Sequence, residues 1–262
     1  MVEQVLRRGT LAPGVSLLAA TSGNFGVALA WIGKAHGRAV EICLPEDVGN
    51  DTLALLRNLG VNLVTTPAHL GTDGAILTAL DRARANPERY HYVDQFDDDD
   101  NPRAHYLSTA EEIVRQTGGA EFDCFVAGLG STGTFMGISR RLQELNPDLR
   151  CVACQPEGSE CVRGLGQLIP GDLPRIYEPH RPREVLSISQ GSAREMARVV
   201  ALEEGLHVGA SSGAALAACF EVARRMEAAG ARRARILTVF PDFDARINCD
   251  VWQTLSRFKE DR

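Results

Sequence analysis

From residue 15 onward, short apolar runs alternate regularly with longer stretches of helical periodicity, and this alternation limits the fold more than any other feature of the chain. Runs of this length bounded by glycine, proline and small polar residues read as strands. When a helix-length segment follows each one, the strands are joined by crossovers and lie parallel. The predicted strands are Ser16–Ala20, Val40–Leu44, Asn62–Thr65, Tyr92–Val93, Asp123–Ala127, Arg150–Cys154 and Arg235–Val239. Helices are predicted near Phe25–His36, Asp51–Leu59, Asp73–Ala85, Pro102–Gln116, Thr132–Leu145, Ala193–Glu204 and Gly213–Ala228. At 262 residues the chain exceeds what one core usually serves, so the expected fold is α/β with two lobes of parallel-sheet βαβ units and a cleft between them. Residues Asp97–Asp100, followed by Asn101 and Pro102, form an acidic turn that suits a join between lobes. This turn is expected to be a solvated loop rather than a cation site. A second irregular stretch, Glu157 to Arg183, is too long for a simple connection, and loops of that length are often functional.

The net charge of −6 leaves no basic footprint for nucleic acid or an anionic membrane surface. No apolar span is long enough to cross a bilayer, and Met1 to Arg8 is charged without a signal-peptide core, so a cytoplasmic protein with small-molecule ligands is expected. The seven cysteines are scattered and odd in number, which suits reduced thiols. Cys151 and Cys154 make a C-x-x-C pair with Cys161 nearby, but no second pair follows. The six histidines show no ligand spacing, so no metal site is expected.

Three strand-to-helix turns are rich in Gly, Ser and Thr: Thr21–Gly26, Gly128–Thr134 and Gly209–Ala214. Such turns expose backbone N–H groups where the helix dipole favours an anion, and glycine lets a ligand approach closely. Ligands of open parallel sheets bind at the carboxyl ends of the strands, so three such turns point to a phosphorylated or carboxylated ligand. Gly128, Gly130 and Gly133 also satisfy G-x-G-x-x-G, which brings a nicotinamide-dinucleotide enzyme into consideration. Against that stands Gln155 at the end of the next strand, where an acid for the ribose hydroxyls is expected, although Glu157 follows two residues later.

The segments "TSGNFGVALAW", "VAGLGSTGTFMGISRRL" and "VGASSGAALAA" resemble the asparagine loop, the phosphate loop and the G-I-S-S-G-A segment of the cysteine synthase and cystathionine β-synthase family. These are fold-type-II pyridoxal-phosphate (PLP) enzymes with the tryptophan synthase β-like fold. "GTDGAI", "DQFDDDDNPRAHY" and "GLGQLIPGDLP" fall in the family's order, and the resemblance runs from about residue 1 to 250. It implies that Gly130, Ser131, Thr132, Gly133 and Thr134 hold the cofactor phosphate and that Asn24 contacts the ring's 3-hydroxyl. It further implies that Thr21, Ser22, Gly23 and Gln95 hold the amino-acid carboxylate. The implied domains are a smaller lobe over residues 1–106 and a larger one over 107–262. The implied reaction is β-replacement on an activated serine by sulfide or another nucleophile, in a homodimer or with a partner chain.

In the family, the lysine that carries the cofactor lies some twenty residues before the part matched by "MVEQVLRRGTLAPG", with which this chain begins, so an N-terminal truncation relative to the family is expected. Only Lys34 and Lys259 are present. Lys34 is ten residues beyond Asn24 on one predicted helix, about 15 Å along its axis, and Lys259 lies in a charged tail. No Schiff-base former is therefore expected in the chain, which leaves a pseudoenzyme or regulatory subunit as the alternative reading. Two further departures are Phe25 in place of the usual threonine, and Phe243 at about the position from which some relatives present a serine to the pyridine nitrogen. Phenylalanine cannot make that hydrogen bond.

Overall fold

The computed structural model describes residues 1–21, 23–119 and 121–243, so Ser22 and Lys259 lie outside the described residues. The chain divides into two compact units, Met1–Asp100 and Asn101–Arg262.

Unit 1 runs α1 (Val2–Arg7), β1 (Ser16–Ala20), α2 (Asn24–Ala35), β2 (Val40–Pro45), α3 (Asn50–Asn58), β3 (Asn62–Thr66), α4 (Gly71–Ala85) and β4 (Tyr90–Tyr92). Its sheet has the order β3-β2-β1-β4, with every pairing parallel. Side chains of a strand alternate between faces. In β1, accordingly, Leu17 and Ala19 pack with Leu29 of α2 and Leu53 and Leu56 of α3, whereas Leu18 and Ala20 pack with Ala75 and Ala79 of α4. Both faces are covered by helices, which explains why β1 reads as an unbroken apolar run. The short α1 was not expected from the sequence. Its six residues are too few to show a period, yet Val2 and Val5 are buried on the α2 face.

Two charged groups are buried in this unit, Glu41 and Asp100. Glu41 of β2, 3% exposed, accepts from Arg82 Nε of α4 at 2.6 Å, from the Tyr90 hydroxyl at 3.2 Å and from Asn62 Nδ2. Arg82 Nη2 also donates to the Tyr90 hydroxyl at 3.1 Å, so the pair and its neighbours tie α4 to three strands. The acidic turn departs from the solvated loop expected for it. Asp97 and Asp99 are exposed, but Asp100 is buried and accepts from Arg8 at 2.7 Å. A buried carboxylate needs such a partner.

Unit 2 contains α5 (Asp100–Ala104, whose first residue belongs to unit 1), a π turn over His105–Thr109, α6 (Ala110–Thr117), β5 (Cys124–Gly128), α7 (Gly133–Leu145), β6 (Arg150–Pro156), β7 (Glu184–Ile188), α8 (Gln190–Glu203), α9 (Ala210–Ala228) and β8 (Ile236–Thr238). The sheet order is β7-β6-β5-β8, again all parallel. The single helix predicted over Pro102–Gln116 is therefore interrupted by a π turn. Strand β7 was missed because it lies at the sheet edge and buries only Leu186 fully, which leaves little apolar signal.

Cys151 packs in the core beside α7, and Cys154 packs in the opposite core beneath α9, as residues three apart on a strand must. The pair cannot converge on one metal ion. Among the described cysteines all thiols are free and only Cys161 is exposed. Burial pushes the Cys43 and Cys219 thiols up to about 11, and those of Cys124, Cys151 and Cys154 up to about 12. Two outcomes are expected. Peptide mapping after iodoacetamide treatment of the native protein near pH 8 should find Cys161 alkylated and those five unmodified, with all five reacting after denaturation. Arg82→Met should lower the unfolding free energy by roughly 2–4 kcal/mol because Glu41 stays buried without its cation, whereas Glu41→Gln should cost less. Chemical denaturation measures both.

Candidate functional site

In unit 1 the first turn starts at the carboxyl end of β1. Thr21 is buried, and its N–H continues the ladder by donating to the Cys43 carbonyl at 3.1 Å. Its hydroxyl turns back to accept from Gly23 N–H at 3.1 Å, which fixes the start of α2. A side chain at Gly26 would stand 2.7 Å from Thr21 Cγ2, so the helix begins pressed against the strand end. Asn24, the first residue of α2, is exposed. Gln95 comes in from the neighbouring strand. Leu18 of β1 pairs with Tyr92 of β4, so Thr21 and Gln95, each three residues further on, leave the same edge of the sheet. Thr21, Gly23, Asn24 and Gln95 are thus gathered at one edge of unit 1. Phe25, the second residue of α2, is partly buried and packs onto the core of its own unit.

In unit 2 the second turn follows β5. Leu129 N–H donates to the Cys154 carbonyl at 2.9 Å, and the chain then turns through Gly130, Ser131 and Thr132 into α7. A Cβ at Gly130 would lie 2.8 Å from the Gly164 carbonyl oxygen, and one at Gly133 would overlap the side-chain amide of Asn101. That amide donates to Ser131 Oγ at 3.1 Å. Thr132 has φ +74° and is the one described non-glycine residue in the left-handed region, which is costly for a β-branched side chain. Its hydroxyl is buried, 2% exposed, and meets no hydrogen-bond partner among the described residues. The first N–H groups of α7 also lack intrahelical acceptors, as at every helix start.

The third turn lies close to the second. A Cβ added at Gly164 would stand 3.4 Å from Ser211 Cβ and Oγ, and the Gly166 N–H donates to the Leu129 carbonyl at 2.8 Å. Helix α9 starts at Ala210, so Ser211 and Ser212 stand in its first turn, both buried. Ser212 Oγ, like Thr132 Oγ1, has no partner among the described residues. Gln155, at the end of β6, accepts from Leu168 N–H at 3.1 Å and so braces the Gly164–Leu168 loop. It therefore helps to hold the loop that packs against the second turn. Phe243 pairs with Val208 in an isolated bridge and stands edge-on to His207, with ring centroids 5.9 Å apart. It is 67% exposed.

Sequence reasoning gave no role to Asn101 or His105, and took in Gly164 and Ser212 only as members of a family-like segment and of the third turn. His105 Nε2 lies 3.1 Å from Thr134 Oγ1, and its Nδ1 lies 3.0 Å from Thr109 Oγ1. The one sequence signal was a histidine and a threonine four apart within a predicted helix. Lys34 is exposed near the carboxyl end of α2. It lines a surface pocket with Arg38, Val40 and Gly60, beside the start of β2 rather than the strand ends that carry the turn.

Two parallel-sheet units, each opening turns of glycine and hydroxyl residues at the carboxyl edge of its strands, define an anion-binding α/β protein of the kind that holds a phosphorylated cofactor. The profile of the family described as "Pyridoxal-phosphate dependent enzyme" matches residues 1–242, and the chain belongs to that family. It is similar to the cysteine synthase of Aquifex aeolicus, with 37% identity over 92% of this chain and 74% of that one. Against cysteine synthase B of Escherichia coli the identity is 36% over 86% of this chain and 73% of that one. Among solved structures, the cysteine synthase of Entamoeba histolytica superposes with a TM-score of 0.84 at 29% identity, covering 96% of this chain and 75% of that one. The O-acetylserine dependent cystathionine β-synthase of Helicobacter pylori gives 0.85 at 31% identity, covering 94% and 80%. The fold is thus the fold-type-II PLP fold, and the chain spans about three quarters of the length of most of these relatives.

The strained turn makes a prediction about the ligand-free protein. Thr132→Gly should raise the unfolding free energy by about 1 kcal/mol, since glycine occupies the left-handed region without penalty and the unpartnered hydroxyl is removed. Thermal or chemical denaturation measures the gain.

Proposed function

We propose that these residues form the cofactor-binding and substrate-binding parts of a cysteine synthase-type enzyme, which carries out β-replacement on an activated serine such as O-acetylserine or O-phosphoserine. Gly130 to Thr134 would hold the phosphate of PLP through the N–H groups at the start of α7 and the hydroxyls of Ser131, Thr132 and Thr134. The observation that carries the reading is the buried Thr132 hydroxyl, left without a partner at a strained helix start. A buried donor of this kind costs stability unless a ligand satisfies it. The close approach of Gly130 to the Gly164 carbonyl supports the same assignment, because it leaves no room for a side chain where the loop folds on itself. Ser212 adds a second unpartnered hydroxyl in the neighbouring turn.

In unit 1, Asn24 would meet the ring's 3-hydroxyl, while Thr21, Ser22, Gly23 and Gln95 would hold the amino-acid carboxylate. Their shared place at the carboxyl edge of β1 and β4 supports this, since neutral donors at a helix start suit a carboxylate. Bound PLP supplies an electron sink for loss of the α-proton and departure of the β-substituent. The chain's own contribution is orientation: donors from two turns fix the carboxylate, and a third set fixes the phosphate.

We also infer that neither lysine supplies the amine this chemistry needs. Lys34 sits beside the start of β2, at the opposite end of the strand from the turn, and Lys259 stands in a charged tail. By themselves, then, residues 1–262 bind the cofactor without a covalent link and without turnover. No helix among the described residues is long and apolar enough to cross a membrane. We propose a cytoplasmic setting, with a homodimer or a partner chain covering exposed apolar side chains such as Trp31, Leu77 and Phe220.

Borohydride reduction of the 262-residue chain with PLP should leave no stoichiometric adduct. Mass-spectrometric detection of one on Lys34 or Lys259 would overturn the lysine inference. Equilibrium dialysis should still find PLP bound, with Thr132→Val weakening binding about tenfold. Unchanged affinity would remove the phosphate-loop assignment.

A further inference from the structure

The π turn that interrupts the helix leading into unit 2 has no part in the function proposed above, yet its first residue touches the phosphate loop. Single π turns inside α-helices often mark functional positions. Here His105 is half-buried, and both of its ring nitrogens are engaged by hydroxyls, Nδ1 with Thr109 and Nε2 with Thr134. The contact is held from the backbone. Gly137 of α7 lies so close to the π turn that an added Cβ would overlap the Pro102 carbonyl oxygen and stand 2.6 Å from His105 Cβ. Helix α7 and the π turn are therefore locked together one helical turn beyond Thr134, which leaves the imidazole little freedom to leave the loop.

We propose that His105 is a positioning residue for the phosphate loop: Nδ1 accepts from the Thr109 hydroxyl, Nε2–H donates to Thr134 Oγ1, and the Thr134 hydroxyl hydrogen is thereby kept for a phosphate oxygen. This rests on the reading of Gly130–Thr134 as the phosphate site. A threonine hydroxyl has one hydrogen to give. In the other tautomer, with the proton on Nδ1, Thr134 would spend its hydrogen on Nε2 and present only lone pairs to an anion. With the proton on Nε2, the chain Thr109 to His105 to Thr134 runs in one direction toward the loop, and each bond strengthens the next. Burial holds the imidazole below its usual pKa, so near neutral pH the ring is uncharged and its tautomer sets the direction of the chain.

Two measurements test the inference. Long-range 1H–15N NMR of the imidazole-labelled chain in phosphate buffer at neutral pH should show His105 as the neutral Nε2–H tautomer, and the Nδ1–H tautomer would overturn the proposal. Titration of inorganic phosphate should show Thr134→Val binding about tenfold more weakly than the unaltered chain. His105→Phe should bind as weakly as Thr134→Val and cause no further loss in the Thr134→Val background. His105→Gln, whose amide can donate from a similar position, should recover most of the affinity. Unchanged binding by Thr134→Val would remove the loop reading and this inference with it. A normal loss for Thr134→Val, combined with no loss for His105→Phe or an additive loss in the double variant, would leave the loop in place and overturn the role of His105. If the phenylalanine variant does not fold, the tautomer measured on the unaltered protein decides the question.

Discussion

Each unit is organised by a ladder in which every strand runs in the same direction. Parallel pairing makes the chain leave each strand at the same edge and cross back through a helix, so the starts of the helices gather along that edge. The ladder also reaches one residue past the strands. Thr21 N–H bonds the Cys43 carbonyl, and Leu129 N–H bonds the Cys154 carbonyl. Each turn is therefore pinned at its first residue before it opens into glycine and hydroxyl groups. Anion-binding donors at the strand ends follow from strand direction, and the residues of the turns decide how closely a ligand can approach.

Much of this was legible in the sequence because both faces of each sheet are covered. Strands such as β1 and β5 are then apolar runs without alternation, and β2 is one apart from Glu41, so they are easy to find between helical stretches. What stayed hidden had a partial or non-local signal. Edge strand β7 buries one side chain fully, α1 is shorter than two turns, and the π turn differs from the surrounding helix only in the register of its hydrogen bonds. The site divided along similar lines. Turn residues announced themselves as clusters of Gly, Ser and Thr, whereas Asn101 and His105 reach the loop by folding back from about thirty residues away, which no local pattern records. Asp100 misled for the opposite reason. It sits in an acidic run that reads as solvated, yet a distant arginine, Arg8, is what allows its burial.

The donors at the strand ends are largely neutral, so this edge suits a ligand whose charge is held by oriented hydroxyls and amides. Such groups bind and orient, but they do not take a proton from carbon, and Lys34 lies beside the start of β2, at the other end of that strand. Family membership and reaction competence are therefore separate properties of this chain. The first rests on fold and turns over most of its length, and the second on an amine that these turns do not include.

The contacts of Asn101 with Ser131 and of His105 with Thr134, together with the packing of Pro102 on Gly137, give the opening residues of unit 2 a weight that their place in the chain conceals. They lie just past the point where the two compact units divide and before residue 107, where the sequence placed the larger domain. Anyone excising the second unit along the boundary read from the sequence would cut at 107, inside the π turn. A fragment begun there would keep the whole second sheet and leave behind the braces of its anion loop, whereas one begun at Asn101 would carry them.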